Sequence, residues 1–195
     1  MPRRALTHEE IDSYRLSYCE TAFDLYKKND YAGVTMRAIA KEMGISPMTA
    51  YRYFDDKEEV FAALRAMHFD RLADTLEAVN KSLPPREYLR ELAVAYAGYA
   101  NKEPHGYRLL YVVHIHQMKA YPEMESAQLR TQQLLFNATR RAIQSGEIQG
   151  EPAVLAHTLW ASIHGLVSLH LANQLTRGSS FKELFTAMLD QLLSA

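Results

Sequence analysis

The junction Gly44-Ile45-Ser46-Pro47 constrains the fold most, because it separates two short segments whose apolar residues have helical spacing. Glycine tolerates the positive φ that often ends a helix, while serine and proline favour the N-cap and the first turn of the next one. Thr35 predicts the N-cap of the first segment, whose inner face carries Ile39, Ala40 and Met43. Two short helices joined by such a turn have helix-turn-helix geometry.

The rest of the chain has the same helical period, with apolar residues recurring three and four positions apart and no alternating strand pattern. We therefore predict an all-α fold. The predicted helices are 8–29, 35–43, 47–53, 56–82, 86–101, 105–118, 122–145, 151–175 and 180–193. The apolar stripe on the first helix contains Ile11, Tyr14, Tyr18, Ala22, Leu25 and Tyr26. We expect a three-helix helix-turn-helix domain at 1–55 and a second helical domain at 56–195, with 56–83 as the connecting helix.

The charge balance excludes a broadly basic protein, since the 195 residues include 22 Lys and Arg and 23 Asp and Glu, for a net charge of -1. Any DNA binding must therefore depend on a small local surface. The single cysteine, Cys19, excludes an intrachain disulfide and fits a reducing compartment. Neither a signal-peptide pattern nor an apolar run of membrane-spanning length is visible, so we expect a cytoplasmic protein that does not bind membranes.

The second short helix supplies the candidate DNA-reading residues, because the N-terminal end of a recognition helix meets base edges in the major groove. Those residues are Ser46, Pro47, Met48 and Thr49. They offer hydroxyls or small apolar groups to bases. The candidate phosphate contacts that follow are Tyr51, Arg52, Tyr53 and Lys57. Asp56 and Glu59 predict a capping box at the start of the long helix.

Residues 22–64 resemble the TetR (tetracycline-repressor-like) family of bacterial transcription regulators. The matching pieces are Thr35-x-Arg37-x-Ile39-Ala40, Gly44-Ile45-Ser46, Thr49-x-Tyr51-x-Tyr53-Phe54 and Lys57-Glu58 with Leu64. The resemblance implies base or phosphate contacts for Thr35, Arg37 and Thr49, and phosphate contacts for Tyr51 and Lys57. It also implies that Ser46 and Met48 set the sequence preference.

The chain departs from the TetR pattern at Asp30, where the family usually has a glycine before an aromatic residue. Asn29 and Asp30 still tolerate a left-handed turn, so we expect the turn to be kept. Arg3 and Arg4 precede the first helix and have two interpretations: a minor-groove arm, or an ordinary solvated terminus.

The resemblance further implies a homodimeric regulator of transcription, a repressor that a small-molecule inducer releases from a palindromic double-stranded DNA operator. The segment Trp160-Ala-Ser-Ile-His164-Gly165-Leu166 resembles the Trp-His-Gly subclass of the family. An interaction module that has kept the fold without ligand-controlled DNA binding is the alternative.

Aromatic residues with polar tips on the later helices predict a pocket for a small organic ligand. The candidates are Tyr96, Tyr99, Tyr107, Tyr111, His114, Phe136, Trp160 and His164. The competing interpretation is that these side chains simply form the core.

The last two helices carry more apolar residues than one buried face requires, which predicts a four-helix dimer interface. The interface candidates are Leu155, Leu159, Ile163, Leu166, Val167, Phe185, Met188, Leu189 and Leu192. Burial within the monomer is the alternative.

The spacing of the eight histidines matches no metal-binding motif, and the sequence contains no motif of a catalytic nucleophile. His114 and His116 point to different helical faces, and His157 and His164 are two turns apart. We therefore expect no catalytic residues, no metal ligands and no cofactor. An enzyme built on a helical bundle would need a catalytic constellation, which the sequence does not contain.

Overall fold

The computed structural model describes residues 7–112 and 121–194, and within them it has nine α-helices and no β-strand. The all-α prediction is confirmed. The helices are α1 (His8–Gly33), α2 (Met36–Glu42), α3 (Pro47–Ala50), α4 (Lys57–Glu77), α5 (Pro85–Lys102), α6 (Pro104–Val112), α7 (Pro122–Gln144), α8 (Pro152–Leu171) and α9 (Phe181–Leu192).

Three predicted helices were too long at their C-terminal ends, and each ends where a local turn competes with the helix. After α4, the side chain of Asn80 accepts a hydrogen bond from the Ser82 amide at 3.0 Å, which closes a turn. After α8, Asn173 adopts a φ of 55°, a conformation that asparagine tolerates better than most residues. The recognition helix α3 ends at Ala50, and residues 51–53 continue as a turn.

Some predictions lie outside the described residues. These are His114, the part of the predicted helix 105–118 beyond Val112, and the possible arm formed by Arg3 and Arg4.

The described residues divide into two compact units. Unit 1 comprises residues up to 67 together with 109–125, and unit 2 comprises 68–108 together with the residues from 126 onward. The predicted domain division after residue 55 stays a prediction.

Unit 1 has a core in which α1 packs against α2 and α2 packs against α3. Its largest fully buried side chains are Tyr18, Ile39, Phe54, Phe61, Leu64, Leu109, Leu110 and Met124. The buried guanidinium of Arg65 donates to the Leu110 carbonyl at 2.7 Å, which holds α6 to α4 within this unit.

Tyr14 is the exception in the predicted apolar stripe of α1, because 43% of its surface is exposed. The chain does change direction near the end of α1, but not in the left-handed helical conformation that was expected, because the ψ of Asp30 is -179°. Asp30 has a φ of 54° there, inside a segment that is otherwise helical up to Gly33.

Unit 2 is built on α5, α8 and α9, with α8 packed against both of the others. Arg130 on α7 forms ion pairs with Asp70, Asp74 and Glu77 on α4, at 2.7–3.1 Å. The hydrogen bond from Arg130 lowers the pKa of Glu77. One guanidinium therefore fixes two turns of α4 to α7 within this unit.

By length and composition, α8 is the one described helix that is apolar enough to cross a membrane. The core helices of soluble proteins meet the same criterion, so this composition does not establish a membrane span. Most of α8 lies outside the core of unit 2. Its buried residues are Ala156, Leu159, Ile163 and Val167.

Candidate nucleic-acid interface

The turn between α2 and α3 has the geometry that its sequence predicts. Thr35 Oγ1 accepts the Ala38 amide at 3.1 Å, so threonine caps α2. Gly44 has a φ of 66° at the end of α2, and the Ile45 amide then donates to the Ala40 carbonyl at 2.9 Å. Ser46 caps α3 by accepting the Thr49 amide at 3.2 Å. These local bonds fix α3 against α2.

The inner side of this pair is tightly closed by small and apolar residues. Ile39, Ala40 and Ala50 have no solvent-exposed surface, so the helices cross at close range. The opposite side of α3 faces solvent, and Met48 is 77% exposed there. Ser46 and Pro47 are exposed and Thr49 is half-buried, its hydroxyl 2.9 Å from that of Ser46. The predicted reading residues thus share one accessible surface.

Three exposed cations lie on α2 or directly after α3, namely Arg37, Lys41 and Arg52. None of them forms an ion pair with a described residue, whereas Lys27 on α1 pairs with Asp24 at 2.7 Å. Cations without acidic partners remain available for phosphates. Although the whole chain is nearly neutral, these three cations therefore form a local positive surface that can bind phosphates.

Lys57 is engaged inside the protein, although it was predicted to contact phosphate. Its ammonium donates to the Tyr31 carbonyl and lies 3.6 Å from the centroid of the Tyr31 ring. Burial lowers the pKa of Lys57. Contact with a phosphate would require the ammonium to leave the Tyr31 carbonyl, so the phosphate role of Lys57 stays a prediction.

Arg15 on α1 is a residue that the sequence reasoning missed. Its guanidinium donates to the Tyr53 carbonyl, pairs with Glu59 at 3.0 Å and lies 4.1 Å from the Phe54 ring centroid. It therefore anchors the segment that leaves α3. The helical period assigns Arg15 to no buried face, and its partners are distant in sequence, so no local pattern could reveal this role.

The predicted capping box at the start of α4 is formed in a shifted version. The Glu59 amide donates to Asp56 Oδ1 at 2.8 Å, as expected. The Glu59 carboxylate, however, accepts the amide of Asp55 at 2.7 Å instead of that of Asp56. Glu59 therefore joins the start of α4 to Arg15.

The predicted pocket residues of unit 2 form a hydrogen-bonded chain. The Tyr96 and Tyr107 hydroxyls are 3.3 Å apart, and the Tyr107 hydroxyl is 2.6 Å from His164 Nδ1. His164 Nε2 is 3.4 Å from the Ser168 hydroxyl. Burial lowers the pKa of His164 and so favours the neutral ring. The chain runs from the buried tyrosines to the half-buried face of α8.

The other pocket candidates are placed differently. The Trp160 and His164 rings are tilted by 36° with centroids 6.3 Å apart, and Phe136 and Tyr111 are half-buried. Tyr99 is buried and bonds to His68. The pocket role of these residues stays a prediction.

A cleft of about 250 Å³ lies in unit 1. Its lining includes Arg15, Glu59, Tyr121 and Glu123. None of the described pocket candidates lines it.

The predicted dimer-interface residues differ in burial. The members buried in the core of unit 2 are Leu159, Ile163, Val167, Phe185 and Leu189. The half-buried members are Leu155, Leu166, Met188 and Leu192. Val154 and Leu169, which belong to the same apolar stripe of α8, are exposed at 64% and 48%.

No group of three or more His, Cys, Asp or Glu residues within 7–112 and 121–194 could hold a metal ion. The single cysteine, Cys19, is buried, and burial raises the pKa of its thiol to about 12. A thiol that resists ionisation is a weak nucleophile.

An all-helical chain with an exposed recognition helix and available cations beside it falls in the class of helix-turn-helix DNA-binding proteins. Residues 19–64 match the family model described as bacterial regulatory proteins of the tetR family. Residues 89–192 match the model described as a tetracyclin repressor-like C-terminal domain. The chain therefore belongs to the TetR family of transcriptional regulators.

The HTH-type transcriptional regulator UidR of Escherichia coli K12 is 23% identical to the chain, over 95% of the chain and 96% of UidR. A solved structure from Rhodococcus sp. RHA1 has a TM-score of 0.80 at 24% identity, covering 99% of this chain and 97% of the other. FadR of Bacillus subtilis, solved in complex with stearoyl-CoA, has a TM-score of 0.75 at 17% identity and covers 92% of this chain and 97% of FadR. The resemblance to the Trp-His-Gly subclass stays a prediction.

Proposed function

We propose that this transcriptional regulator is a cytoplasmic homodimeric repressor, which a small-molecule ligand releases from a palindromic operator. The observation that carries the proposal is the exposed surface of α3 flanked by the unpaired cations Arg37, Lys41 and Arg52. In a two-fold dimer, two such surfaces read half-sites about 34–36 Å apart, or a multiple of that distance.

A two-fold dimer gives the apolar surface of α8 a partner. Val154 and Leu169 are exposed on this helix, and Leu155 and Leu166 are half-buried. Contact with the same surface of a second copy would remove these side chains from water. Burial within the monomer already accounts for Leu159 and its buried neighbours. The interface proposal therefore rests on the four exposed or half-buried residues of α8 given above.

The proposed ligand site is the aromatic region of unit 2 around Tyr96, Tyr107 and His164. Its linked hydroxyl and imidazole groups could exchange their mutual hydrogen bonds for bonds to a polar group on a small organic ligand. The complex of FadR with stearoyl-CoA makes long-chain acyl-CoA a reasonable first compound for a ligand screen.

We propose that α4 carries the ligand signal, since it starts directly after the recognition helix in unit 1 and continues into unit 2. Its second half is held within unit 2 by His68, which bonds to Tyr99, and by the three carboxylates paired with Arg130. A ligand that binds more tightly to a second arrangement of α4, one that does not fit the operator, shifts the protein toward that arrangement. Operator binding is then weakened by the difference in the ligand's binding free energy to the two arrangements, typically 1–3 kcal/mol.

The decisive experiment is selection of bound duplexes from a random DNA pool by the purified full chain at two salt concentrations. Recovery of a palindrome with two half-sites is expected. Recovery of no enriched sequence at either salt concentration would contradict operator binding and favour an interaction module. Candidate ligands, beginning with long-chain acyl-CoA, are then screened for release of the selected operator, with Tyr107→Phe as the pocket variant.

A further inference from the structure

Tyr14 on α1 forms a stacked pair with Tyr53. The ring centroids are 5.2 Å apart and the ring planes differ by 11°. Tyr53 is only 9% exposed, whereas Tyr14 is 43% exposed. Tyr14 therefore presents the accessible ring of the pair, although the sequence pattern assigns it to the buried stripe and assigns the DNA contact to Tyr53.

The pair is connected to the proposed DNA-reading surface through Tyr53. Tyr53 follows the exposed Arg52, and both come shortly after α3. Arg15, the neighbour of Tyr14, holds the Tyr53 carbonyl. Two consecutive residues of α1 thus fix both the ring and the backbone of Tyr53, and they join α1 to the segment that leaves α3.

The Tyr14 hydroxyl has no hydrogen-bond partner among residues 7–112 and 121–194. Stacked aromatic pairs contribute about 0.5–1.5 kcal/mol beyond the area that they bury. This stabilisation holds the exposed ring in one orientation, so little rotational freedom is left to lose on binding. A phenol hydroxyl is a neutral donor, and tyrosine hydroxyls are common donors to DNA phosphates.

We propose that Tyr14 is a further DNA-contacting residue, whose hydroxyl donates a hydrogen bond to a backbone phosphate of the operator. This inference rests on the proposed function, because it requires α3 to read operator DNA. The stack on Tyr53 fixes the position of the donor, and α1 thereby becomes part of the DNA-binding surface.

The test compares the full-length wild type with Tyr14→Phe, which keeps the ring and the stack but removes the hydroxyl. Operator affinity is expected to fall roughly tenfold, the effect of losing a hydrogen bond to a charged group. Non-specific DNA should be affected similarly, because a phosphate contact carries no sequence information. The dependence of affinity on salt should stay unchanged, because the removed donor is neutral and releases no counterion.

A double-mutant cycle between Tyr14 and single DNA phosphates distinguishes a direct phosphate contact from a structural role of the hydroxyl. One phosphate at a time in the operator half-site is replaced by an uncharged methylphosphonate, and each duplex is measured with both proteins. At one position the replacement should weaken the wild type while leaving Tyr14→Phe unaffected. Leu16→Ala is the matched control, since Leu16 lies on the same helix and is 47% exposed.

Unchanged affinity for Tyr14→Phe, or the absence of any phosphate that couples to the hydroxyl, would overturn the inference. If the wild type binds the operator and Arg37→Ala weakens it, such a result leaves the proposed function intact. Absence of operator binding by the wild type would overturn the proposed function itself, and the role of Tyr14 with it.

Discussion

Gly106 on α6 lies against the ring of His68 on α4 so closely that a Cβ atom at position 106 would be 2.4 Å from His68 Nδ1. His68 is 1% exposed, and its Nδ1 is 3.0 Å from the Tyr99 hydroxyl, which also donates to the His68 carbonyl at 3.1 Å. These contacts join α4, α5 and α6 within unit 2. The His68 ring can therefore occupy this position only because residue 106 has no side chain.

Gly106→Ala should therefore displace the His68 ring and disturb its bond to Tyr99. We expect the free energy of unfolding to fall by roughly 2–3 kcal/mol, from overpacking and a weakened buried hydrogen bond. Urea denaturation measures the change. Gly98→Ala on α5 is the control, since nothing lies within 4 Å of the added Cβ, and it should stabilise the helix by about 0.5–1 kcal/mol. Equal effects of the two variants would contradict this account.

The buried imidazole also predicts a pH dependence of stability. Burial, with a smaller contribution from Arg71, lowers the pKa of His68 from 6.5 to about 4. Between these values the unfolded chain binds a proton that the folded chain does not, so stability falls as the pH is lowered through this window. The loss should reach roughly 3 kcal/mol below the folded pKa.

Urea denaturation of the wild type and His68→Gln at pH 7 and pH 5 tests this expectation. Glutamine does not titrate, so the variant should lose less stability between the two pH values than the wild type. The same dependence in both proteins would show that other groups are responsible.

Asp30 predicts a stabilising substitution. Its φ of 54° and ψ of -179° belong to a region that is occupied almost exclusively by glycine and costs other residues about 1–3 kcal/mol. Asp30→Gly should therefore raise the free energy of unfolding by about 1 kcal/mol, measured by urea denaturation. Gly44→Ala places a side chain at a φ of 66° in open space, so it should lower stability through backbone strain alone. A loss of stability in Asp30→Gly would show that the aspartate side chain outweighs the strain.

The unpaired cations predict a specific change in DNA binding. Arg37→Ala and Arg52→Ala should each weaken operator binding and reduce the steepness of its salt dependence, by roughly 0.9 for every phosphate that the variant no longer neutralises on the duplex. Binding isotherms at several salt concentrations give this slope. Lys27→Ala, which removes a cation already paired with Asp24, should leave the slope unchanged. A reduced slope for the Lys27 variant as well would indicate diffuse attraction to DNA.

The exposed apolar surface of α8 predicts the assembly state. Leu169→Glu should shift the protein toward monomers and weaken operator binding, because it would bury a charge in the proposed interface. Sedimentation velocity measures the change. Leu129→Glu on α7 is the control, since Leu129 is 45% exposed, close to the 48% of Leu169. If both variants remain dimeric, the interface lies elsewhere.

Features that depend on neighbouring residues could be predicted from the amino-acid order. The caps at Thr35 and Ser46, the positive φ of Gly44 and the helical period all arise from interactions within a few positions, so they could be read directly from the chain. The family resemblance followed from the same local motifs.

The side chains that these local elements bring together could not be predicted in this way, because they depend on how whole helices pack. Arg15 binds the carbonyl of Tyr53, 38 residues away, and Tyr107 meets His164 across 57 residues. Helical periodicity placed Tyr14 in a buried stripe, but the packing of α1 leaves it exposed on Tyr53. Such contacts depend on the rotation and position of whole helices, which are set by the complete core and not by any local pattern.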